Sequence, residues 1–222
     1  MIPWTILGTA PLPGGGQLRL ARRGDEFSIS IVGQGELMNS RVHSSEDALA
    51  ELALEGMENA RSPRVLIGGL GMGFTLAAAL RSLPSSASVV VAELVPEVVA
   101  WNDGPLGERA GFPVRDSRTQ VRVADVADVI AERANAWDAM LLDVDNGPEG
   151  LTQTDNDRLY SRAGLKAAHR ALRPSGVLAI WSAHPSPAFT ARLKSSGFDV
   201  RTVDVRARQG RGARHVVWLA RA

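Results

Sequence analysis

The chain of 222 residues contains no cysteine, two lysines (Lys166 and Lys194), one tyrosine and only 5% aromatic residues. Without cysteine there is no disulfide, thiolate nucleophile, zinc-cysteine site or iron-sulfur cluster, and the usual reason for assigning an oxidising compartment is gone. The scarcity of lysine removes the phosphate-loop lysine, because Lys166 is the first in the chain. No apolar run reaches bilayer length. The most apolar stretch, Val65 to Leu80, has 16 residues, four of them glycine, against the ~20 that a spanning helix needs. A large charge of one sign is also lacking. The 25 basic and 24 acidic residues leave a net charge of +1, so there is no broad footprint for nucleic acid. Before Arg19 there is no basic residue, and Pro11, Pro13 and Gly14 to Gly16 interrupt the N-terminus early, which is not a secretory profile. The expectation is a cytoplasmic protein that engages neither membrane nor nucleic acid. His43, His169, His184 and His215 have no metal-ligand spacing, so no metal is expected.

What is present reads as an α/β protein in two unequal parts. Residues 1–60 form a small β-hairpin and helix appendage. Gln17 to Arg22 and Phe27 to Val32 alternate apolar and polar residues around Gly24-Asp25, and Glu36 to Val42 can add a short strand. A helix capped by Ser44 or Ser45 carries Ala48, Leu49, Leu52, Ala53 and Met57 at helical spacing. Residues 61–222 then alternate strand and helix. Strands are expected at Val65 to Ile67, Val89 to Ala92, Val121 to Ala124, Ala139 to Leu142 and Val177 to Trp181. Their continuous apolar runs suit a mostly parallel sheet with helices on both faces. Phe198 to Arg206 and Ala213 to Ala220 alternate instead, as an antiparallel pair closing on the turn Arg208 to Gly212.

The chemistry gathers at the strand ends. In Val65-Leu66-Ile67-Gly68-Gly69-Leu70-Gly71-Met72-Gly73 a strand runs into glycines and then a helix beginning near Met72. Glycine permits the sharp turn and lets a ligand approach a helix N-terminus. The spacing at Gly69, Gly71 and Gly73 is G-x-G-x-G, and the third glycine of a dinucleotide fingerprint would fall on Phe74. An adenosyl nucleoside therefore fits better than NAD, which stays an outside alternative. Glu93 ends the second strand 20 residues beyond Gly73, where a carboxylate can accept both ribose hydroxyls. Asp125 follows the third strand, within reach of an adenine amine, and Asp143 follows the fourth. Each acid alone is more often a helix cap or a solvated loop residue; three at consecutive strand ends make a stronger joint signal.

On these residues the chain resembles the spermidine synthase family, within the Rossmann-like class I S-adenosylmethionine-dependent methyltransferase fold. The similarity runs through Val65 to Gly73, Glu93, Asp125, Asp143-Val144-Asp145-Asn146-Gly147-Pro148, Leu159-Tyr160 and Leu172 to Gly176. It implies that Gly69, Gly71, Met72 and Gly73 with Glu93 and Asp125 hold the nucleoside. It implies further that Asp143 is the base or amine anchor, that Asp145, Asn146 and Tyr160 shape the acceptor pocket, and that the protein is a homodimer. Met38 and Asn39 lie where the family joins its N-terminal strands to the nucleoside pocket. Two positions depart. The family loop G-G-G-D-G-G has its aspartate at Gly71, and the second aspartate of its D-S-T-D segment falls on Asn146. A bare ammonium on decarboxylated S-adenosylmethionine wants that loop carboxylate, whereas the carboxylate of intact S-adenosylmethionine is repelled by it. Methyl transfer from S-adenosylmethionine to a small amine or similar nucleophile is thus the leading expectation. Aminopropyl transfer from the decarboxylated form is second, and a catalytically silent nucleoside-binding protein is third. His184 lies at the same edge and could touch an acceptor; Asp155 and Asp157 read as helix caps. The arginines at 201, 206, 208, 211 and 214 read as a solvated hairpin, and Trp101 and Trp137 as packing residues.

Overall fold

The computed structural model describes residues 2–144, 158–208 and 211–222. Two sheets organise it. Strands β1 (Thr5–Pro11), β2 (Gln17–Arg23), β3 (Glu26–Ile31) and β4 (Gly35–Asn39) form an antiparallel meander in sequence order. Strand β1 was not expected from the sequence. Its large side chains Ile6 and Leu7 are exposed, so it lacks the inward alternation that marks a half-buried strand. Helix α1 (Ser44–Ala53) follows, with His43 at its N-cap and no side-chain capping bond. It stops four residues short of the expected Met57, and Gly56, at φ 83°, follows its end.

The second sheet has seven strands: β5 (Arg64–Gly68), β6 (Ser88–Glu93), β7 (Thr119–Val123), β8 (Trp137–Leu142), β9 (Leu172–Ser182), β10 (Asp199–Arg208) and β11 (Arg211–Arg221), in the order β10-β11-β9-β8-β5-β6-β7. Strands β5 to β9 run parallel, and β11 pairs antiparallel with both β9 and β10. The closing pair reaches further into the expected Gly/Arg turn than the alternation suggests. Helices α2 (Phe74–Ser82), α3 (Pro96–Asp103), α4 (Gly107–Ala110), α5 (Val126–Ala131), α6 (Arg162–Ala171) and α7 (Pro187–Ser195) supply the connections.

The continuous apolar runs have the expected cause. Val65, Ile67, Val89, Val91, Ala139, Leu141, Val177 and Ala179 point to one face, joining α1, α2, α3 and the small sheet. Leu66, Val90, Met140, Leu142, Leu178 and Ile180 point to the other, with α5, α6 and α7. Successive strand residues face opposite ways, so a strand covered on both sides needs apolar residues at every position. The chain moves outward from β5 to β6 and β7, then returns across to β8 and β9. That reversal opens a crevice at the carboxyl ends of β5 and β8, where open α/β sheets bind ligands. Among the described residues no helix is long and apolar enough to cross a membrane.

Leu141 is fully buried in the sheet centre, and its replacement by alanine leaves a void that the flanking strands cannot close. Leu141→Ala should cost about 3 kcal/mol, read as a lower urea midpoint at unchanged m-value.

Candidate functional site

A cavity of about 480 Å³ opens at this crevice, between the glycine loop and the inner face of the small sheet. That volume is within the usual range for small-molecule sites. Its floor is Gly69 to Met72 with Phe74 and Thr75, one side holds Glu93 to Val95 with Asp125, and the other holds Asp143, Val144, Leu159 and Trp181. Leu18, Ile29, Ile31, Leu37, Met38 and Asn39 from the small sheet face them.

The loop is fixed by its neighbours. Gly69, Gly71 and Gly73 all take positive φ, at 85°, 52° and 82°. A Cβ on Gly69 would stand 2.6 Å from the carbonyl oxygen of Asp143, and one on Gly73 2.7 Å from Asn102 Oδ1. The loop amides are mostly spent inside the protein. Gly69 N donates to Ala92 O, Gly73 N to Leu70 O, and Leu70 N to Glu93 Oε2 at 2.8 Å. Glu93 Oε1 accepts from Val95 N at 2.9 Å, with the Leu94 and Gly71 amides contributing. Glu93 is only 8% exposed, and burial raises its pKa against those amide hydrogen bonds. Asn102, fully buried on α3, donates to the carbonyls of Gly71 and Val98. Nothing in the sequence near Asn102 announces this role, because the contact joins residues 31 positions apart.

The predicted residues separate on inspection. Gly69, Gly71, Met72, Glu93, Asp125 and Asp143 all line the cavity. Gly73 does not; it caps α2, which starts at Phe74 rather than near Met72. Asp125 lies at the cavity but is already engaged: Oδ1 accepts from Ala127 N at 2.7 Å, capping α5, and Oδ2 pairs with Arg158 at 3.0 Å. Tyr160 lies outside the described cavity lining. It is 1% exposed, sits edge-on to Phe189 in the opposite core, and is not among the lining residues, whereas its neighbour Leu159 is. His184 is exposed and also absent from the lining. Asp145 and Asn146, with Asp155 and Asp157, lie outside the described residues. Met38 occupies the space beside Gly71, its Sδ 3.3 Å from where a Cβ would stand. Asn39 is held by Glu26 and Glu36. Trp101 and Trp137 are buried packing residues.

One acidic lining residue was not singled out from the sequence: Glu46, in the first turn of α1. The ring of His43 stacks on Phe74 at 4.2 Å, and Asp47 bonds both His43 and Arg81 of α2. Helix α1 is thereby held against α2, with Glu46 turned to the cavity. Its Oε2 accepts from Ser45 at 2.6 Å, and among the described residues it has no ion-pair partner. Asp143 accepts from Thr75 Oγ1 at 2.7 Å and is equally without a cation. Burial, then the Asp143 charge, raises Glu46 to about 7; burial raises Asp143 as well. A carboxylate buried beside another loses hydration and gains repulsion, so it keeps its proton longer.

With this geometry established, the fold defines the chain as a Rossmann-like α/β protein bearing a β-meander over the strand ends. Among solved structures it is similar to spermidine synthases. It matches one in complex with the transition-state analogue AdoDATO at TM-score 0.75 and 16% identity, covering 97% of this chain and 72% of that one. A spermidine synthase from Thermotoga maritima gives 0.74 at 16% identity with the same coverage. A Corynebacterium glutamicum protein described as a probable spermidine synthase gives 0.68 at 17% identity, covering 98% and 80%. The chain thus has the spermidine synthase-like fold. No family model matches it, and no curated protein does.

Two outcomes follow from the geometry. Gly69→Ala must strain a left-handed residue and press on the Asp143 carbonyl, costing about 2 kcal/mol or more by chemical denaturation. Glu46 has a folded pKa near 7 against a reference value of 4.5, so its proton favours the folded state. Its contribution is complete below pH 4.5 and is lost as pH rises to 7. Glu46→Gln should therefore gain on the order of 2 kcal/mol relative to the parent chain between pH 5 and 8, after allowance for its part-exposed carboxylate. His215, lowered by burial, acts in the opposite sense in both chains and cancels in the difference.

Proposed function

We propose that the chain transfers the aminopropyl group of decarboxylated S-adenosylmethionine to a cationic aliphatic amine, forming a polyamine. The carrying observation is the charge of the cavity wall: Glu46, Glu93, Asp125 and Asp143 line it, and among the described residues no lysine, arginine or histidine does. Arg158, which reaches Asp125, is shared between Asp125 and Asp128. Such a wall favours ligands that bring positive charge, as a sulfonium and an ammonium do. Intact S-adenosylmethionine adds a carboxylate. At about 4 Å and an effective dielectric constant near 20, each like-charged pair costs about 4 kcal/mol, more than a single loop amide hydrogen bond returns. Similarity to spermidine synthases, one of them crystallised with a transition-state analogue, supports the same reading.

In this reading the glycine loop faces the donor's tail, Glu93 accepts the ribose hydroxyls in place of its weaker amide contacts, and Asp125 lies at the base. Asp143 orients the acceptor, with Asp145 and Asn146 on the segment that follows it. The small sheet excludes water from the reacting carbon, and the acceptor nitrogen must stand about 3 Å from it in line with sulfur. Methyl transfer from intact S-adenosylmethionine keeps one favourable feature, the missing acid at Gly71.

Incubation with each nucleoside and a panel of amines, followed by mass spectrometry, separates the readings. The expected product is an aminopropyl adduct from the decarboxylated donor. A methyl adduct establishes methyl transfer, and nucleoside binding with no adduct establishes a silent binding protein. Glu93→Gln should weaken donor affinity about tenfold by calorimetry, since one acceptor oxygen becomes a donor; equal affinity removes the ribose role.

A further inference from the structure

Two carboxylates that have no counter-ion among the described residues share one end of the cavity, and they come from unrelated parts of the chain. Asp143 follows β8, and Glu46 arrives from the first turn of α1. Thr75 ties one oxygen of Asp143 to the start of α2. Among the described residues Glu46 has the hydroxyl of Ser45 and its own amide. The other groups around it leave its charge uncompensated. Asp47 on its own helix is negative, and the cations near Asp47, His43 and Arg81, are bonded to Asp47. From α2 come Phe74 and the neutral Thr75, from β9 Trp181, and behind Trp181 the ring of His215 on β11, 4.9 Å from the indole. On β10 the residues packed in the same core are Val203 and Val205. A cavity end so built lacks one positive charge.

Resting on the aminopropyl-transfer reading, we infer that Glu46 pairs with Asp143 to clamp the ammonium group of the acceptor amine, and that Glu46 receives the proton this amine must lose before it attacks. The ammonium displaces the proton that the two acids share. In the reaction one N–H proton passes to the Glu46 carboxylate, and the freed lone pair forms the new C–N bond as the C–S bond breaks. The C–S electron pair stays on sulfur as a neutral thioether, nitrogen is left as a secondary ammonium, and the proton on Glu46 leaves to water. Charge and atoms balance without another reactant. Without ligand, burial and the Asp143 charge raise Glu46 to about 7; the bound ammonium lowers it, so Glu46 is ionised as the amine enters and regains a proton as the amine nitrogen gives up its own. The pair titrates as a unit, so removing either member changes the other.

The test uses 1,4-diaminobutane on the full chain, with Glu46→Gln and the charge-keeping Glu46→Asp. Calorimetry at pH 7 in two buffers of different ionisation enthalpy should show proton release on amine binding in the parent. Glu46→Gln should bind the amine at least tenfold more weakly with release close to zero, Glu46→Asp should restore part of both, and donor affinity should fall by a smaller factor than amine affinity. With decarboxylated S-adenosylmethionine, Glu46→Gln should lower kcat about 100-fold and shift the acid limb of the kcat/KM profile downward. Glu46→Gln with parental proton release and pH profile overturns the inference while leaving aminopropyl transfer intact. Glu46-dependent proton release in a chain that transfers nothing does the reverse.

Discussion

The site depends on one buried carboxylate. Glu93 ends β6 and accepts from the amides of Leu70 and Val95, so a single side chain joins the glycine loop after β5 to the turn after β6. Burial works against its charge, and an unmet carboxylate there would be costly; the amides it collects make the position tenable. The loop conformation follows from this anchor. Asn102 holds the Gly71 carbonyl from the other side, the three positive-φ glycines absorb the bend, and Asp143 closes over Gly69 at a distance no side chain could share. Loop, strand ends and cavity floor are one unit.

A second feature sits on that unit: the cavity holds negative charge that the protein does not neutralise. Charge is evenly balanced over the whole chain, but among the described residues the cavity wall carries acids and no cation. Among the described residues, only Asp125 of the four lining acids finds an arginine. The remaining three are partnered by amides and hydroxyls, which orient a carboxylate without cancelling it. This imbalance shifts the argument about the donor's tail. A loop lacking an acid at Gly71 favours a ligand carboxylate when considered alone, but Glu46 and Asp143 bring negative charge to the same cavity from outside the loop, and most loop amides are already taken.

Much of the architecture was legible in the sequence because period and covering are linked. Strands β5, β6, β8 and β9 had to be apolar at every position to fill two cores, and the alternation of β2, β3, β10 and β11 marked them as antiparallel. Strand β1 escaped, since an edge strand exposing Ile6 and Leu7 carries no such signal, and the end of α1 was misjudged because Met57 continues the helical spacing past a glycine. Among site residues, those fixed by position after a strand were readable: Gly69, Gly71, Glu93, Asp125 and Asp143. Tyr160 followed from the resemblance, yet its ring turns into the core with Phe189. Asp125 shows both of its sequence readings at once, helix cap and cavity residue.

By itself the sequence determined the strand-loop-helix unit and the acids at successive strand ends, because these rest on local periodicity and on backbone freedom that glycine alone supplies. It could not determine which acids meet. Glu46 lies 97 positions before Asp143, in a helix whose pattern is that of any amphipathic segment, and Asn102 looks like one more polar residue on α3. Only the packing of α1 against α2 and of α3 beneath the loop brings these side chains to the cavity. Local pattern fixes which face of an element is buried; the charge that two distant elements place in one low-dielectric space is decided when they pack.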